Sequence, residues 1–308
     1  MQNTGKYYSK ILLFGEYTVM NGSSVLSIPY KNFSAHLVTA LQGTGITGET
    51  VESNRLLSEY CDFLCDGEAG KYIETARFRQ DIDSGLFMES NIPVGYGLGS
   101  SGALVASVFN AYGKAEFKNK GKVDLLGIFA SLETYFHGKS SGMDPLSCFT
   151  GEPLYIRNPA KIETTRVPGT GDPHDLSIFL LDTGMTSATG PLVNLYLEKL
   201  EEQEFKNRVE KVLVPLTDSC IENIIDYKSE GFFQDVRSLS ELQLLLLPEM
   251  IPGHLVNAWK FGLESGDFCL KLCGSGGGGY LLVFAKDPGK ILECSHFEGR
   301  NILRVSLS

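Results

Sequence analysis

The chain has 308 residues, of which 43% are hydrophobic and 21% are charged, so it can bury a sizeable core and is neither disordered nor collagen-like. Its formal net charge of −10 at pH 7 argues against a protein that coats nucleic acid or an anionic membrane surface. At roughly 100–200 residues per domain, this length favours two domains.

The cysteines and apolar runs predict a cytoplasmic protein without a membrane partner. Two cysteine pairs, Cys61/Cys65 and Cys269/Cys273, have a spacing of four residues. No matching pair of further ligands lies nearby, which disfavours zinc and favours reduced, mostly buried thiols. The apolar run 11–14 is too short for a signal peptide, and no run approaches the ~18 residues of a membrane helix.

Hydrophobic periodicity predicts a mixed N-terminal half. In chain order, strands are predicted over 11–14, 25–28 and 33–41, with a hairpin turn at Asn21-Gly22 and a loop or hairpin tip over 42–54. A helix over 55–66 and a strand over 78–92 follow. Helices over 104–112 and 124–136 and a loop over 137–144 complete this half.

The C-terminal half begins with predicted strands over 153–166 and 176–182. Residues 160–175 contain Pro168, Gly169, Gly171 and Pro173, a composition typical of a linker, and we therefore predict domains over 1–165 and 166–308. The remaining predicted elements are helical periodicity over 190–228, helices over 235–247 and 253–265, a strand or helix end over 268–272, and a buried strand over 280–285.

Glycine is in excess and is concentrated around residues 95–102 and 274–279. The first concentration, Pro93–Ala103, leads directly into an apolar helix, an arrangement that suits a phosphate because bare backbone N–H groups and a helix N-terminus both favour an anion. Ser100 and Ser101 add hydroxyls that can bind phosphate oxygens or Mg²⁺. An ordinary capped helix start is the alternative.

Three better-known nucleotide motifs do not fit. Residues 97–102 match G-x-G-x-x-G, but the preceding segment is polar and ends at Pro93, and no strand with an acidic residue follows about 20 residues later. The chain contains neither a G-x-x-x-x-G-K-[ST] loop nor the H-R-D and D-F-G motifs of protein kinases.

A second constellation is the pair Glu133 and Asp144, separated by a Gly/Ser loop. Two such carboxylates suit Mg²⁺ binding and proton abstraction, although a solvated helix carboxylate and a helix cap would leave the same pattern.

A third constellation is the segment 273–279, which ends in four consecutive glycines and is followed directly by a predicted buried strand. They predict a tight turn at which two loops and a ligand meet.

Together, the segments 10–17, 93–103 and 271–279 resemble, in order and spacing, the three motifs of the GHMP small-molecule kinases. Within that family, Glu133 followed eleven residues later by Asp144 resembles the mevalonate kinases. Three positions depart from the pattern: Gly102 replaces an alanine, Ser140 replaces a proline and Tyr17 replaces a histidine. Gly-Glu-Tyr also occurs in phosphomevalonate kinases.

The resemblance implies an α+β, two-domain GHMP kinase fold. Its N-terminal domain would resemble ribosomal protein S5 domain 2, with a left-handed βαβ crossover. Its C-terminal domain would be a ferredoxin-like α/β domain, and the active site would lie in the cleft between the two.

The resemblance also implies ATP and Mg²⁺ as cofactors and a small alcohol as substrate. Asp144 would orient or deprotonate the acceptor hydroxyl with Lys10 beside it, and Ser101 and Glu133 would hold Mg²⁺. The residues implied in binding the ATP phosphates are Pro93, Gly95, Gly97, Leu98, Gly99, Ser100, Ser101 and Gly102. Those implied near the substrate are Glu16, His137, Thr183, Gly276 and Gly277.

Three functions stay open at this point. The first is phosphorylation of mevalonate by ATP, and the second is a family kinase that acts on phosphomevalonate or another small alcohol. A phosphorylated acceptor would need extra cations, for which Lys31, Arg77 and Lys139 are candidates. The third is a non-catalytic sensor of nucleotide or metabolite, and a monomer or a homodimer is expected in each case.

Overall fold

The computed structural model describes residues 5–39, 47–167 and 177–306. The chain divides into two compact units, neither of which is one continuous stretch. Unit 1 comprises Met1–Lys10, Pro29–Pro93 and Gly99–Glu152, whereas unit 2 comprises Ile11–Ile28, Val94–Leu98 and Pro153–Ser308. The division predicted at 165/166 stays a prediction, and its markers Pro168, Gly169, Gly171 and Pro173 lie outside the described residues.

Two long strands, β1 (Tyr7–Phe14) and β2 (Val25–Thr39), pass from one unit into the other. The strands predicted over 25–28 and 33–41 are therefore one strand, and residues 40 and 41 lie outside the described part. The turn between β1 and β2 is a 3₁₀ turn, Thr18–Asn21, that ends at Gly22 with φ 91°. A left-handed conformation of this kind favours glycine.

Unit 1 is mainly helical. Its elements besides parts of β1 and β2 are α1 (Gly48–Asp66), α2 (Thr75–Asp83), β3 (Leu86–Ser90), α3 (Ser100–Tyr112), α4 (Ala115–Lys118), α5 (Lys122–His137) and α6 (Met143–Thr150). β3 pairs antiparallel with β2, from Ala35 opposite Ser90 to Thr39 opposite Leu86.

Two N-terminal predictions are wrong. The loop predicted over 42–54 is helical from Gly48, because the Thr47 side chain caps α1 by accepting a hydrogen bond from the backbone N–H of Thr50. The strand predicted over 78–92 is α2 followed by β3. Phe78 and Ile82, four residues apart, are buried on one face of α2, and helical spacing was mistaken for strand alternation.

The helix α3 is buried almost all round. It contains no charged residue, and its small side chains allow α6 to pack closely against it. A Cβ at Gly102 would lie 2.8 Å from the carbonyl carbon of Asp144, closer than real Cβ contacts come. Glycine, at a position where the GHMP kinase pattern has an alanine, therefore lets α6 bring Asp144 against the first turn of α3.

Unit 2 contains both strands and helices. Its elements besides parts of β1 and β2 are β4 (Leu154–Asn158), β5 (Lys161–Thr164), β6 (Ser177–Asp182), α7 (Thr189–Lys199), α8 (Gln203–Arg208), α9 (Val214–Ile225), α10 (Ser229–Leu246), α11 (Val256–Ser265), β7 (Phe268–Leu272), β8 (Tyr280–Ala285), α12 (Pro288–Leu292) and β9 (Ile302–Arg304). Four of the strands form an antiparallel sheet in the order β7-β8-β6-β9, and the first part of β2 pairs with β4. β8 is buried throughout, as expected for a continuous apolar run between two neighbouring strands.

The predicted elements of unit 2 are confirmed in type, with corrections to their continuity. The strand predicted over 153–166 is the antiparallel pair β4 and β5. The helical stretch over 190–228 is interrupted after Lys199 and contains a π-helical turn, Val209–Leu213. Pro215, which lacks an N–H for the α-helical bond, follows that turn. Mixed helix and sheet in two units agree with the predicted α+β class.

Among the described residues, no helix is both long enough and apolar enough to cross a bilayer.

The close packing at Gly102 predicts the effect of an alanine at this position. Gly102→Ala should lower the free energy of unfolding by about 1–3 kcal/mol, because its methyl group must displace the backbone at Asp144. The control is Gly127→Ala in α5, where nothing lies within 4 Å of the added Cβ and a gain of about 0.5–1 kcal/mol is expected. Urea unfolding measures both, and equal effects of the two substitutions would contradict the packing argument.

Candidate active site

Within unit 1, Lys10 of β1 and Asp144 of α6 form an ion pair. The Lys10 Nζ lies 2.9 Å from Asp144 Oδ2, with 4% of the lysine side chain and 39% of the aspartate side chain exposed. Asp144 stands in the first turn of α6, where the helix dipole favours a carboxylate. The turn before it is held by Gly142, at φ 74°, whose Cβ would lie only 2.2 Å from the carbonyl oxygen of Leu126 in α5. A buried cation thus holds a carboxylate that solvent can still reach.

The second carboxylate, Glu133, is buried near the end of α5 and accepts hydrogen bonds from two serines. Ser101 Oγ donates to its Oε1 at 3.1 Å, and Ser140 Oγ donates to its Oε2 at 2.5 Å. His137 Nε2 lies 3.0 Å from Ser101 Oγ. Because the serine hydrogen points to Glu133, this imidazole nitrogen is the donor in the second contact. We call Lys10, Ser101, Glu133, His137, Ser140 and Asp144 the carboxylate cluster.

Burial and the neighbouring charge of Asp144 raise the pKa of Glu133 to about 7, against the opposing effects of the serine hydrogen bonds and of Lys10. Burial acts because it penalises the ionised form. A carboxylate held in this way gains more from a nearby cation than a solvated one does. The site is therefore suited to a positively charged ligand.

The carboxylate cluster has a donor set that fits magnesium. Among the described residues, no group of three or more His, Cys, Asp or Glu side chains could hold a metal ion. Mg²⁺ is usually bound by one or two carboxylates together with waters and substrate phosphates. The carboxylate of Glu133 and the hydroxyl of Ser101 meet that requirement.

The start of α3 lies directly on the Lys10 side chain. Gly99 is the N-cap of α3, has φ 78° and provides no capping side chain. A Cβ there would lie 3.0 Å from Lys10 Cγ, so a larger residue would force the Lys10 side chain to shift. Ser100 is half-buried at the first position of the helix, and Pro93 is half-buried before the glycine segment. An N-terminus without a capping side chain suits an anion.

Within unit 2, the two glycine-rich stretches meet, as the sequence predicts. A Cβ at Gly97 would lie 3.2 Å from the carbonyl oxygen of Cys273, and one at Gly279 would lie 2.7 Å from Tyr96 Cα. The carbonyl of Gly95 accepts a hydrogen bond of 3.2 Å from Ser187 N. Both stretches thus need glycine for close backbone contact. Leu98, the last residue of the segment Val94–Leu98 of unit 2, is buried.

The other residues predicted near the substrate have internal contacts in unit 2. Thr183 Oγ1 donates to the carbonyl of Gly279 at 2.8 Å. Gly277 N donates to Met250 O at 2.6 Å, and a Cβ at Gly276 would lie 2.4 Å from the same oxygen. These contacts give each residue a structural reason, and a role toward substrate stays a prediction for all of them.

Glu16, also predicted near the substrate, pairs with Lys271 at 2.5 Å, and both side chains are almost fully buried. A buried charge needs such a partner. The role of Glu16 toward substrate likewise stays a prediction.

Two polar contacts were not anticipated from the sequence. Tyr17 Oη donates to the carbonyl of Ser275 at 2.6 Å, and Ser140 binds Glu133 as described above. Both residues stood out as departures from the family pattern. Their partners could not be identified from the sequence, because Ser275 is 258 positions from Tyr17 and the Ser140 contact depends on the shape of its loop.

The raised pKa of Glu133 predicts an unusual pH dependence. Between the unfolded value of 4.5 and the folded value of about 7, the folded state binds more protons than the unfolded state, so Glu133 lowers the stability as pH rises. We compare the free energy of unfolding of Glu133→Gln with that of wild type, without Mg²⁺. The difference should increase in favour of the variant by about 1–3 kcal/mol from pH 5 to pH 8.

Urea midpoints at the two pH values measure this gain. Glu68→Gln serves as the control, because 98% of the Glu68 side chain is exposed and its substitution should show no such change. A difference between Glu133→Gln and wild type that is the same at both pH values would show that burial does not shift Glu133.

Two sequence comparisons show what this chain is similar to. Residues 66–152 match the sequence model of the GHMP kinases N terminal domain. Over 92% of this chain and 88% of the relative, the sequence is 25% identical to the mevalonate kinase of Pyrococcus horikoshii.

Two solved structures share the fold. The structure of L. major mevalonate kinase in complex with R-mevalonate has a TM-score of 0.67 at 17% identity and covers 99% of this chain and 96% of its own. The Methanococcus jannaschii mevalonate kinase has a TM-score of 0.67 at 18% identity and covers 99% and 98%. The matched segment, the distant curated relative and the shared fold therefore make this chain similar to the GHMP kinases.

Proposed function

We propose that this protein is an ATP-dependent mevalonate kinase, which transfers the γ-phosphoryl group of ATP to the 5-hydroxyl of mevalonate. The observation that carries the proposal is the 2.9 Å pair of Lys10 and Asp144 beside the buried Glu133. Phosphoryl transfer depends mainly on positioning and on charge neutralisation, and these side chains supply both. The P. horikoshii relative, named as a mevalonate kinase, supports this acceptor.

We assign Asp144 the role of acting on the acceptor hydroxyl. Its carboxylate is partly exposed and is held in place by Lys10. A carboxylate is a weak base toward an alcohol, so its main task is to accept the hydroxyl hydrogen bond and aim the oxygen. As the new O–P bond forms and the bond to the ADP oxygen breaks, the hydroxyl proton passes to Asp144. Lys10 stabilises the negative charge on the transferring group.

The nucleotide is assigned to the segment Pro93–Gly102. The N-terminus of α3 has no capping side chain, so its N–H groups can bind the phosphates. Glu133 and Ser101 would hold magnesium, which supplies positive charge to the phosphate oxygens when it is bound. Ser101 Oγ keeps a lone pair for this role while it donates its hydrogen to Glu133.

Two other functions compete with this proposal. The Gly-Glu-Tyr sequence that ends at Tyr17 is compatible with a phosphorylated acceptor. Of the three cations considered for such an acceptor, Arg77 pairs with Glu74 at 3.0 Å and lies over the ring of Tyr112. These contacts engage its guanidinium within unit 1 and disfavour Arg77 as the cation for a phosphorylated acceptor. A non-catalytic sensor is disfavoured because Lys10, Ser101, Glu133 and Asp144 are all present.

The acceptor is tested by measuring ADP release from MgATP with mevalonate, phosphomevalonate, galactose and homoserine. We expect turnover with mevalonate at a kcat/KM at least about tenfold above that of any other acceptor, a difference of about 1.4 kcal/mol. Turnover confined to another alcohol would replace mevalonate as the substrate. Saturable nucleotide binding without ADP release from any acceptor would support the sensor.

The same assay, applied to an Asp144 variant, tests whether the activity belongs to this protein and depends on Asp144. Asp144→Asn should lower kcat by about 10²–10⁴-fold while ATP still binds, because the N-terminus of α3 is unchanged. The matched control is Asp83→Asn, at an exposed position that ends α2, which should retain full activity. Activity that survives at a tenth of the wild-type rate in Asp144→Asn would remove Asp144 from the proposed role.

A further inference from the structure

Ser140 stands between α5 and α6, and its hydroxyl has polar partners on both sides. Oγ donates to Glu133 Oε2 at 2.5 Å and accepts a hydrogen bond of 3.0 Å from the backbone N–H of Gly142. Glu133 lies near the end of α5, whereas Gly142 is the N-cap of α6, which carries Asp144 in its first turn. One hydroxyl therefore links the buried carboxylate to the turn that positions the other carboxylate.

The two oxygens of Glu133 are distinguished by their donors. Ser140 binds Oε2, and Ser101 binds Oε1 from the start of α3. The terminal torsion of a glutamate is broad and roughly two-fold, so a single donor would leave the carboxylate free to turn. Donors on both oxygens restrict that rotation and keep Oε1 on the side of Ser101.

We propose that Ser140 is a positioning residue, which fixes the Glu133 carboxylate so that Oε1 is presented together with Ser101 Oγ to a divalent cation. The identity of that cation as the magnesium of MgATP rests on the proposed function. The proline that the family pattern carries at this position has no hydroxyl and could form neither bond. This chain therefore holds its metal-binding carboxylate by a contact that the family pattern does not encode.

The experiment measures how Mg²⁺ changes the affinity of the full chain for ADP, by calorimetric titration of ADP over a series of MgCl₂ concentrations. Loss of a hydrogen bond to a metal ligand typically costs about 10–100-fold in metal affinity. Ser140→Ala and Ser140→Val should therefore need about 10–100-fold more Mg²⁺ for half of the effect. Ser140→Thr keeps a hydroxyl and should lie much closer to wild type.

The matched control is Ser131→Ala on the same helix. Ser131 Oγ donates to the carbonyl of Gly127 within α5 and has no part in the carboxylate cluster, so this variant should show the wild-type Mg²⁺ dependence. If Ser140→Ala does not fold, the nearly isosteric pair Ser140→Thr and Ser140→Val decides the question, with circular dichroism and urea unfolding as the check on folding.

Two results would overturn the inference. Equal Mg²⁺ dependence of wild type, Ser140→Ala and Ser140→Val would show that the hydroxyl does not position a metal ligand. ADP binding to wild type that is independent of Mg²⁺ would show that Glu133 binds no nucleotide-associated cation that Ser140 could help to position. The kinase proposal is judged separately, by ADP release from wild type with mevalonate.

Discussion

A lysine ammonium that is almost completely withdrawn from water must have a partner, and much of unit 1 is arranged to give Lys10 one. An unpaired buried charge would cost several kcal/mol, and the Asp144 carboxylate, 2.9 Å from the Lys10 ammonium, offsets this cost. Its position depends on Gly102, where a side chain would push α6 away from α3, and on Gly142, where a side chain would strike α5. Two glycines thereby determine where a charged pair can form.

The same pair affects the neighbouring carboxylate. The negative charge of Asp144 and burial both favour the protonated form of Glu133, while Lys10 and two serine hydroxyls oppose them. The result is a carboxylate that gains from an added cation. In the proposed function, that added charge arrives with the nucleotide, so binding of the nucleotide relieves an electrostatic cost that the folded protein carries without it.

The sequence was most informative where the backbone has no alternative. The glycines of 273–279 predict a turn at which two loops meet, and backbone atoms of Tyr96 lie where a side chain at Gly279 would stand. Periodicity was less reliable for short elements: a two-turn amphipathic helix at Phe78 and Ile82 is easily mistaken for part of a strand. The π-helical turn Val209–Leu213 was also missed, because hydrophobic spacing does not record the hydrogen bonds that Pro215 removes.

Contacts between loops could not be predicted from the sequence. Glu133 and Asp144 could be proposed as a pair from their spacing, and Lys10 could be placed beside Asp144 only through the family resemblance. The hydroxyl of Ser140 was visible as a departure from the pattern, but its partner depends on the conformation of residues 138–142. The passage of β1 and β2 from one unit into the other was likewise not encoded in any local pattern.

The most direct test of the central claim is a double-mutant cycle on Lys10→Met and Asp144→Asn, with phosphoryl transfer from ATP to mevalonate measured in single turnovers. If the pair acts as one unit, the transfer rate of the double mutant should be no more than about tenfold below that of the slower single mutant. Removal of either partner already disables the other. A loss equal to the product of the two single losses would show that Lys10 and Asp144 act independently, and would contradict the account.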